Sequence, residues 1–241
     1  MRNVLLIVRR ELAAYARTPS GYVITAATLL VMGLLFNALA VGDSPRLSAQ
    51  VLEIFFRNAG GLVMVAAVIF SMRLLAEERA GGTQMLLFTS PIREGEIVVG
   101  KYLAGLTFLT ILILLSLYLP ALIFVNGKVS FGHIGAGYLG MFFVGATTLA
   151  IGTFASSLVK TPFLAVLLSA VFVVLLELCF WVARLDDGVF ATVLGYLPVY
   201  WNHFQPFSRG LLQLSDVVYY LSVTYLSLLA ATRVVQSQRW Q

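Results

Sequence analysis

A chain of 241 residues that is 60% hydrophobic and only 11% charged, with a mean hydropathy of +0.93, carries more apolar surface than a water-soluble domain of its length can bury. Six spans of about 20 residues each use half of such a chain, and the remainder is too short for a separate catalytic domain. The formal charge of +5 would suit nucleic acid in a soluble protein, but these cations flank apolar runs, so the partner they imply is the lipid bilayer and not nucleic acid.

The chain opens with Arg2, Arg9, Arg10 and Arg17 on one side of a helical wheel and Val4, Leu5, Val8, Leu12 and Tyr15 on the other, which predicts an interfacial amphipathic helix over residues 1–18. Thr18-Pro19-Ser20-Gly21 breaks it from the first apolar run. Runs over about 21–41, 56–76, 103–126, 136–158, 162–182 and 216–235 predict six transmembrane helices, so the expected fold class is an all-α integral membrane protein. The second run is short between Arg57 and Arg73 and needs snorkelling arginines or a locally thinned bilayer. Ala38-Leu39-Ala40 has the small-residue form of a cleavage site, but the length of the run before it favours a retained span. The single cysteine, Cys179, lies inside an apolar run, where packing is its expected role.

Six spans put both ends on one side. Arg2, Arg9, Arg10, Arg17, Arg73, Arg79, Arg93, Lys101, Lys160, Arg233 and Arg239 fall on that side, and only Arg46, Arg57, Lys128, Arg184 and Arg209 on the other. The positive-inside bias then makes both termini cytoplasmic and the protein a multi-pass component of the inner (plasma) membrane. The loop between the second and third runs is unusual, because Met85, Leu86, Leu87 and Phe88 stand in sequence and require a cover. Gly81-Gly82 ends the preceding helix, Thr83 can cap a short new one, and Ser90-Pro91 offers an N-cap with proline at the first helical position. Glu94 and Glu96 then suit the positive end of the next helix. The apolar run flanked by Glu77, Glu78, Arg79 and Arg93 predicts either packing on the headgroup boundary or a docking surface for a cytoplasmic partner.

The string Met72-Arg73-Leu74-Leu75-Ala76-Glu77-Glu78, with residues 82–92 (GTQMLLFTSPI) and 96–104 (EIVVGKYLA), resembles the first cytoplasmic loop of ABC-2 type transporter permeases. The resemblance implies that residues 79–93 carry a coupling helix received by a separate cytoplasmic ATPase, and that residues 1–18 are the elbow helix. Residues 203–210 (HFQPFSRG), Asp216-Val217-Val218-Tyr219-Tyr220 and the ending Gln238-Arg239-Trp240 are similar to the branch containing gliding-motility-associated permeases; copper-processing permeases associated with nitrous-oxide reductase are more distant. The family pattern has Glu where this chain has Gln84, which removes any salt link expected there.

Among the remaining residues, Gly145, Gly152 and Ser156 form a small-residue stripe that suits close helix packing, a seam against a second copy, or a conduit wall. Glu177 is the only acidic residue well inside an apolar run and is expected to face protein or water in the outer half. The segment 183–215 is dense in aromatics, as a membrane boundary requires, and the resemblance implies a re-entrant hairpin there. Its polar residues His203, Arg209 and Asp216 are read as caps and anchors, with Asp216 placed as an N-cap.

The sequence has no GxxxxGK[ST], no HExxH and no nucleophile–base–orienter set. The chain is accordingly expected to bind no cofactor and no metal and to have no catalytic residue, leaving ATP and Mg to the partner ATPase. The function implied is a permease subunit of an ABC-2 exporter, acting with a second copy or a homologous permease. The alternative is a membrane anchor or mechanical transmitter driven by the ATPase and acting on a periplasmic or surface partner. A secondary transporter ranks third, because it calls for ion-coupling residues at midplane.

Overall fold

The computed structural model describes residues 2–41, 47–82, 92–123, 130–185 and 188–239. All described elements are helical: α1 (Arg2–Arg17), α2 (Pro19–Leu35) running on into a π-helical turn (Phe36–Val41), α3 (Ser48–Ser71), α4 (Ala76–Ala80), α5 (Glu94–Leu115), α6 (Tyr118–Ile123), α7 (Phe131–Leu158), α8 (Pro162–Ala183), α9 (Val189–Gly195), α10 (Phe204–Ser208) and α11 (Leu214–Arg239). Six stretches are long and apolar enough to cross a membrane: Pro19–Leu39, Ser48–Ala80, Glu94–Ile123, Phe131–Leu158, Pro162–Ala183 and Leu214–Gln238. The chain is an all-α integral membrane protein.

The second span departs from its expected limits. Its helix begins at Ser48 rather than near 56 and ends at Ser71, so Glu53 and Arg57 lie within it and Arg73 lies beyond it. Both charges have outlets: Glu53 meets Arg209 at 3.1 Å, and Arg57 is on an exposed face. α5 likewise begins at Glu94 rather than at Pro91, with Arg93 extended before it, and residues 83–91 lie outside the described residues. The third span is interrupted by a turn at Ser116–Leu117 before α6, where Pro120 cannot donate to the helical ladder.

The bundle is organised around α7, which packs against α3, α11, α8, α5 and α10. In their most apolar stretches, 67% of α3 and of α7 is buried, against 11% for α2 and 17% for α8 and for α11. α3 and α7 therefore form the centre, and α2, α8 and α11 present apolar faces outward. Small residues on α7 make the close approach possible: a Cβ on Gly137 would stand 2.4 Å from the Phe56 ring, and one on Gly152 would stand 2.4 Å from Ser71. Polar groups at this seam are satisfied internally, with Ser71 Oγ 3.2 Å from Ser169 Oγ and Thr147 donating to the Tyr220 carbonyl at 3.2 Å, as the absence of water at bilayer depth requires.

The segment between α8 and α11 does more than mark a boundary. Phe204 and Phe207 of α10 are buried at 1% and 0% exposure and fill the space left by Gly60 of α3 and Gly140 of α7. These two aromatics belong to the core, while Phe190 and Tyr196 are exposed.

If the α3–α7 contact carries the fold, Gly152→Leu will force Ser71 and the backbone apart and lower stability by about 2 kcal/mol, the usual scale of overpacking. Gly135→Ala, where no atom lies within 4 Å, will be neutral. Thermal unfolding of the two variants in one detergent gives the comparison, and equal melting temperatures would contradict this account of α7.

Candidate functional site

One face of the bundle, here the basic face, gathers α1, α4, the start of α5 and the ends of α7 and α11. At its centre is Lys101, an ammonium with 1% side-chain exposure. Its Nζ lies 3.2 Å from Glu11 Oε1 of α1 and 3.0 Å from Glu78 Oε1 of α4. Arg10 Nη2 meets the same two carboxylates at 3.0 and 2.8 Å. Lys101, Glu11, Arg10 and Glu78 thus form a closed ring of alternating charge that ties three helices together. The amphipathic helix is therefore oriented differently from the simple wheel. Ile7, Glu11 and Tyr15 face the bundle, with Ile7 against Gly100, while Leu5 and Leu6 are exposed and available to lipid.

A second group flanks the ring. Arg73 donates to Glu77 at 2.8 Å, to Thr18 Oγ1 at 2.9 Å and to Ser20 Oγ, and lies over the Tyr15 ring. Tyr15 stacks on Phe108 of α5. Burial pushes its phenol above the ordinary range, with Arg73 pulling the other way. Between ring and flank lies a cavity of about 320 Å³ that also touches Gly81.

α4 is held from its other side by α7 and α11. Ser156 Oγ accepts from the Leu75 and Ala76 backbone N–H groups at 3.2 and 3.0 Å, so a side chain of α7 caps the start of α4. Arg79 donates to the Val159 carbonyl at 3.2 Å and to Gln238, and Gln238 donates in turn to the Ser157 carbonyl at 3.1 Å. Gly82, at φ +69°, ends this stub in a conformation that glycine adopts without strain. The start of α5 is tied back to α1 by Asn3, which donates to Glu96 at 3.2 Å.

Of the residues expected to face an ATPase, Glu77, Glu78 and Arg79 come together here. Arg93 precedes α5, where its own N–H donates to Glu96 at 3.2 Å. Thr83, Met85, Leu86, Leu87 and Phe88 lie outside the described residues. Arg9, Arg10 and Arg17 are exposed on α1; the Arg2 side chain is outside the description. In the small-residue stripe, Gly145 abuts Leu109 and Val63, Gly152 abuts Ser71, and Ser156 caps α4, all within the chain.

At the opposite, aromatic face, Glu177 accepts from the Tyr200 N–H at 2.9 Å, while its Oε2 has no hydrogen-bond partner among the described residues. Burial pushes the Tyr200 phenol up to about 12 despite the neighbouring Arg57, so it remains a donor, to the Arg57 carbonyl. His203 Nδ1 stands 2.8 Å from Asp216 Oδ1, and its Nε2 stands 3.1 Å from the Tyr196 carbonyl. Asp216 sits inside the first turn of α11 and turns to His203 rather than capping the helix. Arg209 pairs with Glu53.

The family described as ABC-2 family transporter protein matches this chain over residues 7–186. The chain belongs to the ABC-2 transporter family. No curated protein matches it. The family makes this chain the membrane permease subunit of an ABC transporter rather than the ATPase, and implies an ATPase partner and a membrane setting. The matched region of this ABC-2 permease contains the Lys101 ring and the α4 cap, whereas His203, Arg209, Asp216 and Gln238 lie beyond it.

Lys101, Glu11 and Arg73 are the members of this face that sequence reasoning did not single out as site residues. Lys101 carried a readable signal, because a lysine inside the apolar run 97–109 requires counter-charges. Glu11 was the available acid on the first helix. Their pairing needed the crossing of α1 over α5, which no local pattern specifies. Glu11→Gln with Glu78→Gln will leave Lys101 buried without a carboxylate and cost about 3–5 kcal/mol. Either single change will cost clearly less, since one counter-charge remains. Melting curves of the three variants test this, and a double variant as stable as either single one would rule the ring out as a structural element.

Proposed function

We propose that this ABC-2 permease is the subunit through which a separate cytoplasmic ATPase does mechanical work on the membrane, with residues 79–93 as the ATPase-facing coupling segment and export as the direction. What carries this reading is the way α4 is clasped. The stub leading into residues 83–91 is joined to α1 and α5 through Glu78, to α7 through Ser156, and to α11 through Arg79. These contacts pass a displacement of α4 itself directly to four helices. Alternating access then follows as a shift between two packings, biased by ATP binding in the partner. ATP and Mg belong to the partner; this chain supplies no group for them. A second permease copy or homologue completes the assembly, and the gliding-associated branch is the proposed placement within the family.

The test is purification in mild detergent from the native membrane, with mass spectrometry for a co-eluting P-loop ATPase, repeated with Leu86→Asp and Phe88→Asp. The expected result is an ATPase present with the parent chain and lost with the variants. Absence of any such ATPase, under conditions that keep other membrane complexes intact, would overturn the reading. ATPase stimulation by a periplasmic or surface protein, with no lipid or solute moved, would select the mechanical transmitter instead.

The same reading puts the basic face in the cytoplasm of the inner membrane. With Cys179 replaced by serine, Arg17→Cys will react with an impermeant maleimide only in inside-out vesicles, and Leu212→Cys only in right-side-out cells or spheroplasts. Both sites are exposed, so the reverse pattern would invert the topology.

A further inference from the structure

The charged ring uses only one side of α1. Ile7, Glu11 and Tyr15 face the bundle, and on the opposite side Leu5, Leu6, Arg9, Ala13, Ala16 and Arg17 are all exposed, at the spacing of a single helical face. Leu5 and Leu6 leave 68% and 61% of their surface uncovered, so this face is apolar at one end and cationic along its length.

Arg9 and Arg17 differ from Arg10 between them. Arg10 is neutralised by Glu11 and Glu78, whereas Arg9 and Arg17 meet no carboxylate among the described residues. The acids of this side are engaged elsewhere: Glu11 and Glu78 with Lys101, Glu77 with Arg73, and Glu96 with Asn3 and the Arg93 N–H, while Glu94 opens α5. The residues of this side outside the description, 1, 83–91 and 240–241, contain no aspartate or glutamate. Eleven arginines and lysines therefore stand against five glutamates, and the counter-charge for the outer side of α1 comes from outside the chain.

The neighbours of these charges decide what supplies it. A membrane interface satisfies both kinds of side chain at once, since Leu5 and Leu6 enter the acyl boundary while the guanidiniums reach headgroup phosphates. A zwitterionic headgroup brings its own cation to a face already in cationic surplus; an anionic headgroup does not. Arg9 and Arg17 stand eight residues apart, about 12 Å along the helix axis, too far for one phosphate to bridge. Each therefore takes its own headgroup, and the short side chains of Ala13 and Ala16 leave room between them. We propose that the outer side of α1 binds anionic phospholipids, selected over zwitterionic ones through Arg9 and Arg17. The proposal needs only the membrane setting of the chain and stands or falls independently of the ATPase reading.

A fluorophore on Leu6→Cys, with Cys179 replaced by serine, reports the lipid beside α1 when the full-length protein is placed in phosphatidylcholine nanodiscs. The quencher is a minor fraction of spin-labelled phosphatidylglycerol or, in a parallel series, spin-labelled phosphatidylcholine. Phosphatidylglycerol will quench more strongly at equal mole fraction. Arg9→Gln, one turn from the reporter, will lower its relative association about fivefold, the share of one basic residue at an anionic surface. Arg17→Gln, about 16 Å from the reporter along the axis, will lower it less. Lys160→Gln, an equal charge change on the same side but between α7 and α8, will leave it intact. Arg9 and Arg17 hold nothing within the chain, so these variants will keep the parent melting temperature in detergent. Equal quenching by the two lipids, or a preference that survives Arg9→Gln, overturns the proposal. A preference lost equally with Lys160→Gln would reduce it to a general surface potential, and quenching by neither lipid would mean that protein covers this face; both outcomes overturn it.

Discussion

The architecture of the basic face depends on a single ammonium held out of water. Lys101 stands in an apolar helix at 1% exposure, and a buried charge of this kind is tolerated only where opposite charges reach it. That constraint places α1 across the start of α5, because Glu11 must arrive from one side. It also places α4 beside them, because Glu78 must arrive from the other. Gly100 allows the approach, since a Cβ there would stand 2.9 Å from Ile7. A helix that the sequence marks as an interfacial amphipath is thereby locked to the bundle by the one acid on its inner side.

The remainder of the fold supplies a stiff frame for that junction. α7 is central because its glycines and small hydroxyl residues let α3, α8 and α11 approach closely, and its hydroxyls hydrogen-bond within the protein, as bilayer depth demands. Its last turn provides Ser156, which caps α4, while its first half receives Phe56 and Phe207 from the aromatic end. One rigid element consequently touches both the segment proposed to receive force and the aromatic segment at the opposite face.

Periodicity and composition made the six spans and the fold class legible, because a bilayer-crossing helix announces itself by length and hydropathy alone. The limits of the second span were less so. Arg57 read as a snorkelling edge of a short run, and only the fold starts the helix at Ser48, takes in Glu53 with Arg209 as its partner and turns Arg57 outward. The aromatic segment misled in the same way. Phe204 and Phe207 have the composition of a boundary belt, yet Gly60 and Gly140, distant in sequence, make room for them in the core. Glu77, Glu78 and Arg79 were readable as a cluster, whereas their partners on α1, α5 and α11 were not, since such contacts depend on helix crossings rather than on spacing. Asp216 shows the limit of local reasoning at its clearest: it occupies the first turn of a helix, and a histidine thirteen residues away in sequence takes its carboxylate.

The ring at Lys101 has a property that suits a moving part. Its two carboxylates come from different elements, Glu11 from α1 and Glu78 from α4, and each is shared with Arg10, which is 59% exposed. Should α4 shift away, Lys101 keeps Glu11, and the long Arg10 side chain can follow Glu78 or remain. The large cost of an isolated buried charge is never incurred; only the difference between two counter-charges and one is at stake. An arrangement with a single carboxylate would be either locked or broken, whereas a doubled one keeps the ammonium's share of the cost of moving α4 modest, beside what the Ser156 cap and the Arg79 contacts add. That is the condition under which differential binding by a partner can shift a population.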